Sequence, residues 1–150
     1  MTGNTNMSVR AVLFLCNRNA IRSPMAAVLH NFHVSGHLGA PQAESAGVRP
    51  GEPDPLSQLA LSELGLAIPE GPRAVENLKL GHFDLIVALS PQAQHRALEL
   101  TRNLPTSVEF WHVVDPSLVD GSREQRLAAY RMVRDDLAHR LKERFPTSTL

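Results

Sequence analysis

The sequence has one cysteine, Cys16, and that scarcity excludes a good deal. A single thiol cannot close an internal disulfide or build a four-thiolate zinc or iron–sulfur site, so cysteine-rich export scaffolds lose their basis and a reducing cytoplasm is the expected compartment. Net charge is lacking too. Fifteen basic side chains balance 15 acidic ones, which removes the one-signed field of a dedicated nucleic-acid or anionic-membrane binder. The longest apolar run near the start, Ala11–Cys16, is too short for a signal-peptide core and far too short to cross a bilayer. There is no Gly-x-Gly-x-x-Gly and no Walker Gly-Lys-Ser/Thr, and neither Lys79 nor Lys142 follows a glycine loop, so no nucleotide cofactor is expected. What remains is the composition of a folded chain: 150 residues, 43% hydrophobic and 20% charged, enough to bury roughly 68–70% of the unfolded surface. Residues 1–8 are polar and patternless and are expected to be a disordered extension, leaving 9–150 as one domain.

Strand and helix patterns alternate four times. Ala11–Leu15 is almost wholly apolar, as in a strand buried on both faces of a parallel sheet. After the loop Asn17–Arg22, Ser23 as N-cap and Pro24 as first helical residue open an amphipathic helix. Met25, Val28, Leu29 and Phe32 form its apolar face, and Gly36 and Gly39 end it. Gln42–Val48 reads as a weaker strand. Asp54-Pro55 opens a second helix with Leu56, Leu59, Ala60 and Leu64 inward and Gly65 as its stop. Phe83–Leu89 is a third strand, Ser90-Pro91 launches a helix to about Thr101, and Val108–Val114 is a fourth strand. Leu127, Tyr130, Val133, Leu137 and Leu141 then mark a long terminal helix, with arginines and acids interspersed on a salt-bridged exposed face. The expected class is α/β: a doubly wound, four-stranded parallel sheet with helices on both faces.

In such sheets ligands bind at the carboxyl ends of strands, so the loop after the first strand is the first candidate site. It holds the only thiol: Cys16-Asn17-Arg18-Asn19-Ala20-Ile21-Arg22-Ser23-Pro24. The five residues between Cys16 and Arg22 suffice to wrap one tetrahedral oxyanion with inward N–H groups, and the helix N-terminus adds partial positive charge. That field and the Arg22 guanidinium favour the thiolate form of Cys16. The planar fork of Arg22 can also hold two equatorial phosphoryl oxygens as charge redistributes. A phosphate ester needs its leaving oxygen protonated, and Asp115, following the strand Val108–Val114, stands at the same edge of the sheet. Asp54, the rival carboxylate, is explained as a helix cap.

Phe14-Leu15-Cys16, Asn19 and Arg22-Ser23-Pro24-Met25-Ala26 resemble the signature of the low-molecular-weight protein tyrosine phosphatases and the related thioredoxin-linked arsenate reductases. The likeness continues through Ser45-Ala46-Gly47, Asp54-Pro55, Phe83-Asp84-Leu85-Ile86 and Val114-Asp115-Pro116. It implies a flavodoxin-like fold with strand order 2-1-3-4, a cysteinyl-phosphate intermediate and no metal. It also implies Asp115 as general acid, Ser23 as hydrogen-bond partner of the thiolate, and Asn19 with Ser45 as braces of the loop. The departures are specific. Arg18 stands where the family commonly has Gly, Ile21 where it commonly has a second Cys, and Ser117-Leu118 and Val48-Arg49-Pro50 where aromatics commonly line a phosphotyrosine cleft.

The expected function is therefore a metal-independent phosphomonoesterase without cofactor. Cys16, Arg22 and Asp115 are catalytic, Asn17, Arg18, Asn19, Ala20, Ile21 and Ser23 bind phosphate, and Ser45 supports the loop. Its partner would be a phosphorylated protein or small phosphomonoester, with arginines 18 and 49 lining the mouth, and neither nucleic acid nor membrane. Arsenate reduction by an external thiol and a non-catalytic phosphate-binding module are the alternatives. His30, His33 and His37 have helical ligand spacing but no intervening carboxylate, and are expected to be solvated rather than metal-bound.

Overall fold

A computed structural model of the chain describes residues 9–147. The expected N-terminal extension, residues 1–8, lies outside the described residues. The sheet is built on β1 (Ala11–Cys16), whose flanking parallel neighbours are β2 (Gln42–Gly47) and β3 (Leu85–Ala88); β4 (Ser107–Phe110) extends it beyond β3. The order is β2-β1-β3-β4, the doubly wound, flavodoxin-like arrangement. Between the strands run α1 (Arg22–His33), α2 (Pro55–Ser62), α3 (Pro91–Leu100) and, at the end, α4 (Arg123–Arg144).

The two-residue period of the strands divides the core. Val12, Phe14, Leu85 and Val87 face one side, where Met25 and Leu29 of α1, Ala60 and Leu61 of α2, and Tyr130, Val133, Leu137 and Leu141 of α4 cover them. Leu13, Leu15, Ile86 and Ala88 face the other, against Ala93 and Ala97 of α3 and the turns around Val75 and Leu80. Helices thus cover both faces, which is why β1 and β3 can be apolar throughout. Asp54 and Ser90 cap their helices as expected: Asp54 Oδ1 accepts from the Leu56 N–H at 2.8 Å and Ser90 Oγ from the Ala93 N–H at 3.1 Å. No helix among the described residues is long and apolar enough to cross a membrane.

Several local expectations are corrected. Ser23 is not an N-cap. The helix starts at Arg22, the cap position is Ile21 without a side-chain cap, and the Ser23 hydroxyl turns instead to the Cys16 sulfur and neighbouring groups. The fourth strand ends at Phe110 rather than Val114, although Trp111 N–H donates to Ala88 O and Val113 N–H to Leu89 O, which carries the chain along the edge of β3 to residue 115. His30 is not solvated. Its ring is fully buried between Phe14 and Phe145, and Nε2–H donates to the Pro41 carbonyl at 2.9 Å. His33 Nε2 likewise meets the Phe145 carbonyl, so these two rings tie backbone together. Arg134 also leaves the exposed face: it is buried and donates to Ala60 O and Glu63.

Candidate active site

β1 ends at the buried Cys16, and the next five residues turn back into α1. Three carbonyls of this loop are held by one neighbouring segment. Val48 N–H donates to Cys16 O, Arg49 N–H to Asn17 O and Gly51 N–H to Arg18 O, at 3.0, 2.8 and 2.9 Å. Ser57 Oγ donates to Ala20 O and Met25 N–H to Ile21 O. In a trans peptide the next N–H points opposite to the carbonyl, so the N–H groups of Asn17, Arg18, Asn19, Ile21 and Arg22 turn away from these partners. None of them donates to a protein acceptor among the described residues. Such a ring of open donors at a helix N-terminus is an arrangement suited to an anion.

Two residues make the turn possible. Asn19 has φ 54°, the left-handed region that Asn tolerates better than most residues. Its amide is fully used: Nδ2 donates to Ser23 Oγ at 2.8 Å and Ser45 Oγ at 2.9 Å, and Oδ1 accepts from Arg73 N–H at 2.9 Å. Gly47 lies against the loop so closely that a Cβ there would stand 2.7 Å from Asn19 N and 2.8 Å from the Arg18 carbonyl carbon. Both are backbone atoms and cannot rotate away.

Inside this frame the Cys16 sulfur lies 3.0 Å from Ser23 Oγ and 3.4 Å from the Ser23 N–H. Ser23 Oγ can alternatively donate to Ala46 O at 3.1 Å. Arg22 is buried, with Nη1 donating to the Val113 carbonyl at 3.0 Å, so the start of α1 is fixed to the chain that leads to Asp115. A cavity of about 230 Å³ is lined by Cys16, Arg18, Ala20, Ile21 and Arg22 of the loop together with Asp54, Asp115 and Ser117.

These two carboxylates are held differently. Asp115 Oδ1 accepts from the Ser117 N–H at 2.9 Å and hydroxyl at 2.7 Å, while Oδ2 has no protein partner among the described residues. Asp54 spends Oδ1 on the α2 cap and Oδ2 on the hydroxyl of the buried Tyr130, at 2.8 Å. Burial, the bond to Asp54 and the negative charges of Asp54 and Asp115 all push the Tyr130 phenol above its ordinary range, so it stays a donor. Both aspartates cap a turn. Only Asp115 keeps an oxygen without a protein partner.

The sequence-derived set is thus brought to one edge of the sheet, with one qualification. Asn17 directs its side chain away: Oδ1 accepts from Ser90 Oγ at 2.6 Å, so only its backbone is available to an anion. Sequence reading missed Tyr130, read as core alone; Ser57 and Arg73, which carry no local signal; and the second duty of Ser90 beyond its cap. Arg73 is 54 residues from Asn19 and also donates to Ser45 O and Glu44.

Known proteins share the sequence pattern and the fold. An arsenate reductase of Shouchella clausii is 29% identical over 140 residues, covering 91% of this chain and 96% of that protein. The crystal structure of an arsenate reductase from Archaeoglobus fulgidus superposes with a TM-score of 0.69 at 31% identity, covering 89% of this chain and 98% of that one. A low molecular weight protein tyrosine phosphatase from T. tengcongensis shares the fold with a TM-score of 0.75 at 22% identity, over 89% of this chain and 96% of its own. The sequence model described as low molecular weight phosphotyrosine protein phosphatase matches residues 11–148, and the chain belongs to that family.

Proposed function

We propose that the chain is a metal-independent phosphatase that hydrolyses phosphomonoesters through a phosphocysteine on Cys16, working in a reducing cytoplasm. The observation that supports this reading best is the shared cavity: a buried thiol beside a ring of open N–H donors, a buried guanidinium, and a carboxylate with one oxygen unpartnered among the described residues. The Cys16 thiolate attacks phosphorus in line. The S–P bond forms as the P–O ester bond breaks, and Asp115 gives its proton to the departing oxygen. The loop N–H groups and the Arg22 fork hold the three equatorial oxygens, which keep their charge throughout.

Ser23 suits both halves of the cycle because its single proton has two acceptors in reach. While the sulfur is a thiolate the hydroxyl donates to it; once the sulfur carries the phosphoryl group the hydroxyl can donate to Ala46 O. Asp115, now a carboxylate, takes a proton from water as that water attacks phosphorus. The S–P bond breaks, inorganic phosphate leaves and the thiolate returns. No metal or external reductant enters the balance, so hydrolysis of nitrophenyl phosphate by the purified protein, undiminished by chelators, is the expected result. Absence of hydrolysis would overturn the reading.

The names of the relatives favour a second reading. Arsenate has the shape and charge of phosphate, and the same loop would bind it over Cys16. Among the 150 residues there is no second cysteine, so two equivalents of an external thiol would have to supply the electrons. Release of arsenite that depends on added thiol, in a preparation that does not hydrolyse phosphate esters, would select this reading. Anion binding without either reaction would leave a non-catalytic phosphate-binding module.

A further inference from the structure

The carboxylates that line the Cys16 cavity, Glu52, Asp54 and Asp115, have no counterpart in the groove beside it. That groove has a volume of about 890 Å³ and shares Arg18 with the cavity. Its basic side chains are Arg18, Arg49, His95 and Arg96, it includes no acid, and Val48, Pro50 and Pro91 supply apolar walls. Arg96 is already engaged, 3.3 Å from Glu99 and 3.7 Å from Glu76, and His95 lies 3.7 Å from Glu99. The exposed side chains of Arg18 and Arg49 make no hydrogen bond or ion pair among the described residues.

These two arginines are placed by the same contacts that shape the anion loop. Arg49 N–H donates to Asn17 O and Gly51 N–H to Arg18 O. A Cβ on Gly51 would stand 3.0 Å from Arg18 Nε and 3.3 Å from its Cβ, so the Arg18 side chain lies across that glycine toward the groove. Two unpaired guanidinium groups on one strip of surface attract carboxylates and repel basic chains. A small phosphate ester would fill the 230 Å³ cavity and reach no further; a peptide extending from its phosphorylated residue would continue into the groove.

We infer that the groove is a subsite for the acidic side chains of a phosphoprotein segment, which lie along Arg18 and Arg49 while the phosphoryl group sits over Cys16. This rests on the phosphatase reading for the position of the phosphoryl group. The test uses the Cys16→Ser protein and two phosphotyrosine peptides, one flanked by Asp and Glu, the other by Lys and Ala. The acidic peptide is expected to bind roughly tenfold tighter at low salt, with the preference vanishing near 1 M salt, where the Debye length is about 3 Å. Adding Arg49→Glu should abolish or reverse the preference and Arg49→Gln should roughly halve it on a logarithmic scale. Equal affinities, no binding of either peptide, or a preference untouched by both substitutions would overturn the inference. So would a bisphosphorylated small molecule that matches the acidic peptide in affinity and in dependence on Arg49. If the native protein hydrolyses no ester, the phosphatase reading fails by itself, because peptide binding is scored on a protein that need not turn over.

Discussion

Two segments supply the candidate site, and they are built to opposite specifications. Residues 16–23 are buried except for Asn17 and Arg18, and their carbonyls are bound by the 48–51 segment, Ser57 and Met25. The segment after Val113 is open: Val114, Leu118 and Val119 are exposed, and Asp115 is steadied mainly by its own neighbour Ser117. The contrast follows from the work each would do. Donors that stabilise charge on a phosphoryl group are effective when they need not reorganise, whereas a proton donor must meet leaving groups of varied shape and then water.

Substitutions should therefore cost most in the clamped segment and depend most on substrate in the open one. Cys16→Ser should abolish turnover while preserving the fold and anion binding, checked by steady-state kinetics and phosphate titration; a hydroxyl at that position is not ionised by a helix terminus. Arg22→Lys should be nearly as damaging with every ester, at least the roughly 10²–10³-fold seen when one charge-stabilising donor is lost, since an ammonium cannot span two oxygens. Asp115→Asn retains an oxygen for the Ser117 bonds but cannot give a proton. Its burst phase should fall by about 10²–10⁴-fold with an alkyl phosphate and clearly less with nitrophenyl phosphate. Equal losses with both would mean that Asp115 positions the turn, and Asp54 would be the next carboxylate to test. Gly47→Ala forces a methyl group against Asn19 N and should lower thermal stability by about 1–3 kcal/mol and kcat with it. A fully active, fully stable Gly47→Ala would break the claim that close packing shapes the loop.

The smallest expected effect lies beneath the clamp. His30 donates through Nε2, while its buried Nδ1 has no partner among the described residues. Burial therefore holds its pKa below the ordinary value, with the charge of His33 adding to this and the Pro41 bond opposing it. Protonation favours the unfolded chain, so stability is full above about pH 6.5 and declines as pH falls through the window below it. His30→Gln, which can keep the bond to Pro41, should flatten that decline in thermal melts between about pH 7 and pH 5. An unchanged slope would assign the pH dependence elsewhere.

What the sequence made legible was whatever is written locally. The apolar runs located β1 and β3, the Asp54-Pro55 and Ser90-Pro91 pairs located helix starts, and the strand-end rule placed Cys16 and Asp115 on one edge. As a helix cap Ser23 misled, because a serine before proline satisfies the capping pattern; its hydroxyl instead meets a sulfur seven residues back, the partner that the family resemblance implies. His30 misled because helical spacing does not say what covers a helix, and Phe14 and Phe145 come from both ends of the chain. The Arg73 and Tyr130 contacts join residues 54 and 76 positions apart, a distance at which periodicity carries no information.

The central claim is that Cys16 carries the phosphoryl group during turnover, and rapid quenching tests it most directly. Asp115→Asn protein mixed with nitrophenyl phosphate, stopped in acid and digested, should show one phosphoryl group on the peptide containing Cys16. It should accumulate above the native level because its hydrolysis has lost its base. Turnover with the Cys16 peptide unmodified at every quench time, in both proteins, would contradict the claim.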